Sequence, residues 1–579
     1  MNTPTPIPTP AFSARSGPPA LPAPYRPPTH AGPIDLRLDA NEGQPIIDLR
    51  AFFATLEPDP VRRYPDSSKL RATLAANWNL SADRVLVTAG ADDAIDRACR
   101  AFLGAGLEII APTPTFEMIP RYAHLAGASV IAPPWPDGAF PLKEVLAAVT
   151  VDTAMIAVVS PNNPTGAVAT SHDLRCLAQA APSAILLIDL AYAEFANEDL
   201  TQAALALPNA IVLRTFSKAF GLAGLRIGYA MGDASNIRRL ASVGAPYPVS
   251  SLGLAAAAES LVASPSRLQP RVARILDERA KLTQFLSDLG ASPLPSQGNF
   301  VLCNFAIAEF VWNALGGLGI SVRRFHDRPG LEQALRITCP GDAADFTRLL
   351  AALRSTLRPK ALLLDIDGVV ADVGSSYREA IRQTAGSFGA QITLADITEA
   401  KAEGNANNDW GLTQRLLERA GVHATLAEVT KRFESLYQGS ESAAGLRDNE
   451  RLIPDRALLQ RLAARLSLAA VTGRPRADFE RLLDRFDLRA LFSATVCMED
   501  ATAKPDPAPV LLALSRLGVS NAWMVGDTPD DICSARAAGV VPLGVLAPGE
   551  THPRSAAALA SAGAARILAS LSELEDLIP

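Results

Sequence analysis

Residues 211–229 read IVLRTFSKAFGLAGLRIGY. The opening IVLR run is short and β-branched, which marks a buried strand rather than a helix. Thr215, Ser217, Lys218 and Arg226 follow it among glycines, so they form a polar tip where that strand ends. The same rhythm recurs upstream. VLVT (85–88) precedes a stretch with an acidic start and a glycine stop, DDAIDRACRAFLG (92–104), which reads as a helix. AMIAVV (154–159) runs into SPNNPTG (160–166), and AILLID (184–189) into LAY. Strands alternating with helices predict an α/β fold whose mainly parallel sheet is covered on both faces. Ligands bind beyond the carboxyl ends of strands in such sheets, so three polar tips are expected to meet in one crevice.

A second α/β unit restarts near Arg358-Pro359-Lys360. The helical stretch FTRLLAALRSTL (346–357) ends there and a strand pattern, ALLLDIDGVV (361–370), follows. Residues from about 376 to 455 are charged and helical in pattern. LSLAAVTG (466–473), LFSATVCME (491–499) and NAWMVGD (521–527) then resume strands with polar ends. Residues 1–33 contain eleven of the 45 prolines and no apolar period, so they read as a disordered or polyproline II tail.

The chain has 579 residues, 48% of them hydrophobic, 20% charged, with a formal net charge of -6. An acidic balance argues against nucleic acid as a partner. Six cysteines with no CxxC spacing exclude a disulfide scaffold, and six histidines without paired-ligand spacing give zinc no support. No apolar run reaches a membrane span and no basic-then-apolar leader is visible, so a cytoplasmic setting with no membrane partner is expected.

The residue types of the first crevice suit pyridoxal 5'-phosphate. A lysine forms a Schiff base with the cofactor aldehyde, an aspartate keeps the pyridine nitrogen protonated, and a helix N-terminus with an arginine takes the phosphate. Taken together with LDANEG (38–43) and RRYPD (62–66), the motifs TFSKAFGLAGLR and SPNNPTG resemble the fold-type I aminotransferases, and most closely the histidinol-phosphate aminotransferases, over residues 34–357. The resemblance implies a large α/β domain and a small α+β domain. It makes Lys218 the catalytic lysine, pairs Asp189 with the pyridine nitrogen, and sets Tyr192 and Asn163 on the ring hydroxyl. Gly90, Ala91, Asp92, Ser217 and Arg226 would cup the phosphate, and Phe116 would stack on the ring. Tyr64 would reach a neighbouring subunit's site, which implies a homodimer. Arg336 would take the substrate carboxylate. Arg323 would take the substrate phosphate or second carboxylate, with Arg324 beside it as a competitor. Leu190 departs from the family, which usually carries glutamate there.

In the second unit, alternation along an extended chain would turn Asp365 and Asp367 the same way. Such a pair can hold Mg2+ through hard oxygen ligands while one carboxylate attacks phosphorus. DID (365–367), VTGRP (471–475), AKPDP (503–507) and GDTPDD (526–531) resemble, in order, the motifs of the haloacid dehalogenase superfamily, over residues 361–579. The resemblance implies a Rossmann-like core with a helical cap at about 376–455. Asp365 would be the nucleophile and Asp367 the general acid and base. Thr472 and Lys504 would bind the phosphoryl group. Asp365, Asp367, Asp527 and Asp531 would make the Mg2+ site. GNANNDW (404–410) is a candidate substrate loop in the cap.

Two sites on one chain point to consecutive steps on one metabolite. The expected pair is conversion of imidazole-acetol phosphate and glutamate into histidinol phosphate and 2-oxoglutarate, then hydrolysis of histidinol phosphate, with small phosphorylated amines or ketones and glutamate as partners. Alternatives are a phosphonate route, for which Lys401 in the cap would be the required lysine, and a threonine-phosphate decarboxylase. A transcription regulator built on an aminotransferase-like sensor is the non-enzyme alternative.

Overall fold

The strand Ile185–Asp189 lies at the centre of a seven-stranded sheet. Its neighbours run Val85–Thr88, Gly228–Gly232, Ala210–Thr215, Ile185–Asp189, Thr153–Val159, Glu108–Ile110 and Ser129–Ile131. Only Gly228–Gly232 runs antiparallel to its neighbours. The structure is a computed structural model that describes residues 24–55, 62–404, 406–550 and 553–578. All five residues of Ile185–Asp189 and all six of Ala210–Thr215 are buried, which is why those runs show no polar alternation. The helix after Val85–Thr88 spans Gly90–Phe102, two residues earlier at each end than its acidic start suggested.

A smaller five-stranded sheet runs Leu36–Leu38, Ile320–Arg324, Ala334–Thr338, Phe300–Asn304 and Ser292–Pro293. The helix Ser251–Asp288 leads into it from the large sheet. Helices Ala308–Gly317 and Ala343–Leu357 belong to this smaller unit.

The third sheet is parallel throughout: Phe492–Val496, Ser467–Val471, Ala361–Leu364, Ala522–Gly526, Val541–Val545 and Arg566–Leu568. A short antiparallel pair, Ala371–Asp372 with Arg451–Leu452, brackets an insertion. Among the described residues that insertion contains the helices Tyr377–Ser387, Leu394–Ala402, Asp409–Arg419 and Leu426–Gln438.

The two halves share one core. Helix Ala343–Leu357 runs almost directly into the strand Ala361–Leu364. The wholly buried Trp523, in the neighbouring strand, donates its indole N–H to Ser355 O at 2.8 Å and packs on Phe310 at 5.0 Å between ring centroids. Leu349, Leu353, Leu362 and Trp523 fall in one continuous buried cluster. Helices of the first half therefore cover one face of the second half's sheet, a role a doubly wound fold normally gives its own helices.

The proline-rich tail expectation divides. Residues 1–23 lie outside the described residues. Residues 24–33 carry no helix or strand but are not free: the His30 ring stacks on Trp312 at 3.8 Å, and Tyr25 lies beneath the Arg323 guanidinium. Aromatic side chains at 25 and 30 supply the apolar area that the proline count conceals.

Candidate active sites

The first crevice has a cavity of about 480 Å³ at the carboxyl ends of the large sheet's strands. Lys218, Asp189, Tyr192, Asn163, Ser217, Ala91, Asp92, Phe116, Arg226, Arg323 and Arg336 all line it. Lys218 follows the Ala210–Thr215 strand, and its Nζ donates to Ala40 O at 2.8 Å. Asp189 ends its strand 3% exposed and accepts the Ala191 N–H at 3.0 Å. Burial lifts its carboxyl to about 7, although that N–H opposes the rise. A carboxyl with so little solvation awaits a cationic partner, which a protonated pyridine nitrogen is.

Ala89, the N-cap of Gly90–Phe102, has no capping side chain, so first-turn N–H groups are left for an anion. Gly90 has φ +82°, and a Cβ there would lie 2.8 Å from Arg226 Nη2. The cradle thus needs glycine to let Arg226 close over the helix end. Arg226, itself left-handed at φ 53°, pairs with Asp92 at 3.0 Å. The Ser217 N–H donates to Thr215 Oγ1 at 3.1 Å, which orients the third side of the cup. The cup, the buried aspartate and the lysine fit pyridoxal phosphate.

Arg336, 6% exposed, donates to Asn163 Oδ1 and to Asp39 O. Burial lowers its guanidinium to about 10. Arg323 turns into the cavity and pairs with Glu117 at 3.2 Å, whereas Arg324 pairs with Glu309 at 3.2 Å in a separate crevice. Strand alternation makes that choice. Sequence reasoning passed over Glu117, Arg328, which shares Glu117 with Arg323, and Tyr25. It also passed over Asn41, whose Nδ2 donates to Tyr192 OH at 2.9 Å. A positive φ of 54° at Asn41, inside the LDANEG motif, was the available signal. Leu190 is buried at 1% exposure, where a glutamate would need a partner. Tyr64 does not line this cavity. It is 80% exposed and stacks on Tyr247 at 4.5 Å.

In the second half, Asp365, Asp527 and Asp531 bring carboxylate oxygens within 4.8 Å of one another. Lys504, 4% exposed, donates to Asp365 Oδ1 at 2.8 Å and to Asp531 Oδ1. Burial works against the Lys504 ammonium, but those two carboxylates raise it above its ordinary value. Burial lifts Asp527 to about 7 and Asp365 well above the usual carboxylate range. A divalent cation fits here, because it would supply the charge that one lysine cannot. Thr472, buried, sits where the Ser467–Val471 strand ends. Gly368 has φ +78°, and a Cβ there would lie 2.2 Å from Asp527 Oδ2, so the turn admits only glycine.

One expectation fails. Asp365 and Asp367 do not face the same partners, and the Asp367 carboxylate is outside the three-carboxylate group. The strand stops at Leu364, so the extended alternation stops too. Asp367 Oδ1 instead accepts Arg474 Nε at 2.5 Å. Arg474 and its other partner Glu450, at 3.0 Å, escaped sequence reasoning. In the cap, Asn407 donates to Asp530 at 2.9 Å and to Lys504 O at 3.2 Å, which seats the candidate loop on the core. Lys401 pairs with Asp409 at 3.5 Å beside Asp527. Among the described residues no helix is long and apolar enough to cross a membrane.

Comparison with known proteins fits this geometry. Residues 35–353 match the family Aminotransferase class I and II, and residues 359–539 match haloacid dehalogenase-like hydrolase. A histidinol-phosphate aminotransferase of Caldanaerobacter subterraneus subsp. tengcongensis is 36% identical over 56% of this chain and 94% of its own length. An aromatic amino acid aminotransferase of Mycobacteroides abscessus is 38% identical over 47% of this chain and 79% of its own. An imidazoleglycerol-phosphate dehydratase of Phytophthora nicotianae is 45% identical over 38% of this chain, which spans only 52% of that relative's length. The solved histidinol-phosphate aminotransferase of Sinorhizobium meliloti, in complex with pyridoxal-5'-phosphate, superposes with a TM-score of 0.52 at 26% identity, over 56% of this chain and 92% of that one. The chain therefore belongs to the class I and II aminotransferases, and it is an enzyme of fold-type I architecture followed by a haloacid dehalogenase-like hydrolase domain.

Proposed function

We propose that the chain carries out two reactions on one metabolite. The first exchanges an amino group between histidinol phosphate and 2-oxoglutarate. The second hydrolyses the phosphate ester of histidinol phosphate. The observation that carries this reading is the convergence of Arg323, Arg328 and Arg336 on the cavity that holds Lys218 and Asp189. Three guanidiniums suit a substrate with a dianionic phosphate and a co-substrate with two carboxylates. The names of two relatives, one acting on histidinol phosphate and one on imidazoleglycerol phosphate, support the same reading.

Pyridoxal phosphate, when bound, supplies the electron sink for the substrate's Cα–H bond. Asp189 would hold the proton on its ring nitrogen, and Tyr192 and Asn163 would face its hydroxyl. Ser217, Arg226 and the Gly90–Asp92 turn would hold its phosphate. Lys218 would carry the proton to and from the substrate carbon. Arg336 would orient the substrate's anionic group, and Arg323, released from Glu117, would take the distal one.

Mg2+, when bound by Asp365, Asp527 and Asp531, supplies charge that offsets the phosphoryl oxygens. An Asp365 oxygen bonds to phosphorus as the ester P–O bond breaks. The leaving alcohol takes its proton from Asp367. Water then attacks phosphorus, passes a proton to Asp367 and frees Asp365. Thr472 and Lys504 hold the phosphoryl oxygens throughout. The exposed Tyr64–Tyr247 pair supports a homodimer in which Tyr64 serves the neighbouring site. A cytoplasmic location completes the reading.

The test measures phosphate release from histidinol phosphate with Mg2+, and glutamate formation after 2-oxoglutarate is added. Lys218→Ala is expected to abolish only glutamate formation, and Asp365→Asn only phosphate release. Absence of both activities in the wild type, with phenylalanine serving as amino donor instead, would replace the histidinol phosphate reading with an aromatic one.

A further inference from the structure

We propose that Arg474 is a positioning residue that reserves Asp367 for proton transfer and ties that role to docking of the cap. The proposal rests on the phosphatase reading above. Arg474 lies two residues beyond Thr472 and its backbone N–H donates to Thr472 Oγ1 at 3.1 Å, so its backbone is part of the phosphoryl-binding turn. It is 1% exposed. Its Nε donates to Asp367 Oδ1 at 2.5 Å and its Nη1 to Glu450 Oε2 at 3.0 Å. Its flat face lies 5.0 Å from the Tyr377 ring centroid.

The partners come from two bodies. Asp367 and Arg474 belong to the core. Ser376, Tyr377, Tyr437 and Glu450 belong to the inserted segment and its return. Glu450 also accepts Tyr437 OH at 3.0 Å and Ser376 Oγ at 3.2 Å. A planar guanidinium fork fixed on one side by this cap-side group presents its Nε to Asp367 in one orientation. Glu450 alone would balance the buried charge, so a purely structural arginine has no need of Asp367. The contact draws the Asp367 carboxylate out of the group formed by Asp365, Asp527 and Asp531. Arg474 Nη2 is buried with no hydrogen-bond partner.

Asp367 gives its proton to the alcohol oxygen as the P–O bond breaks. The need for that proton depends on the leaving group, which makes the idea testable in the full-length enzyme with Mg2+. Nitrophenolate leaves unprotonated, whereas phenolate is a poorer leaving group of similar shape. For Arg474→Met, kcat/KM is expected to fall about 100-fold on phenyl phosphate but only about threefold on 4-nitrophenyl phosphate. Asp367→Asn is expected to show the same split, and Arg474→Lys an intermediate one. Arg474→Met combined with Glu450→Gln removes the buried charge that the single variant strands, and is expected to keep the split. Equal losses on both esters in that double variant, or no loss on either, would overturn the proposal. A wild type inactive on both esters would overturn the phosphatase reading and this proposal with it.

Discussion

Arg323 and Arg324 stand side by side, and nothing local in the sequence chooses between them. The strand Ile320–Arg324 does, by turning Arg323 toward Glu117 and the cavity and Arg324 toward Glu309. Side-chain contact, not residue type, was the missing information. The same holds for Arg474, which reads as one more charged residue in VTGRP until Asp367 and Glu450 are seen around it. Arg336, which the LRITCP motif singled out, lines the cavity. Replacing Arg336 with lysine keeps the charge but loses the fork that bridges Asn163 and Asp39. Steady-state kinetics of transamination is expected to show a rise of about 10- to 100-fold in KM for glutamate. An unchanged KM would remove Arg336 from substrate binding.

At the scale of elements, five strands quoted from short apolar runs, Val85–Thr88, Thr153–Val159, Ile185–Asp189, Ala210–Thr215 and Ala522–Gly526, fall within a residue of where hydrophobicity places them. Ala361–Leu364 departs furthest, because ALLLDIDGVV continues apolar past the point where the Gly368 turn ends the strand. Hydrophobic periodicity does not register a left-handed turn. In the segment 24–33, which has no helix or strand, proline content masks two anchoring rings. His30 gives that segment a pH signature. Burial lowers its imidazole from 6.5 to about 4. An undocked segment binds a proton below about 6.5 that the docked one refuses until about 4, so docking weakens as pH falls through that window and the loss levels off below it. The His30 resonance, assigned with a His30→Gln variant, is expected to titrate far below the exposed histidines in NMR. Titration near 6.5 would mean that the ring is not held on Trp312.

At the scale of the whole molecule, the sequence divides cleanly into two family matches, at 35–353 and 359–539, but the core does not. Trp523 and Phe310 meet across the boundary, and helices Ala308–Gly317 and Ala343–Leu357 serve as a layer for the second sheet. No single-sequence pattern distinguishes a helix that covers its own sheet from one that also covers a neighbour's. The second half expressed alone is therefore expected to expose the face around Trp523 and to aggregate. Within the full chain, Trp523→Ala removes a fully buried indole and its bond to Ser355, and is expected to cost about 3–5 kcal/mol, read as a lower urea midpoint for loss of phosphatase activity. A soluble, cooperative, active fragment would show that the shared core is dispensable.

In the proposed function, two separate sites act in turn on one phosphorylated metabolite. Phosphorus NMR follows it directly, starting from imidazole-acetol phosphate, glutamate, pyridoxal phosphate and Mg2+. The wild type is expected to pass through histidinol phosphate to inorganic phosphate, whereas Asp365→Asn stops at histidinol phosphate. Inorganic phosphate appearing from the starting ketone in Lys218→Ala at the wild-type rate, or no histidinol phosphate in Asp365→Asn, would contradict it.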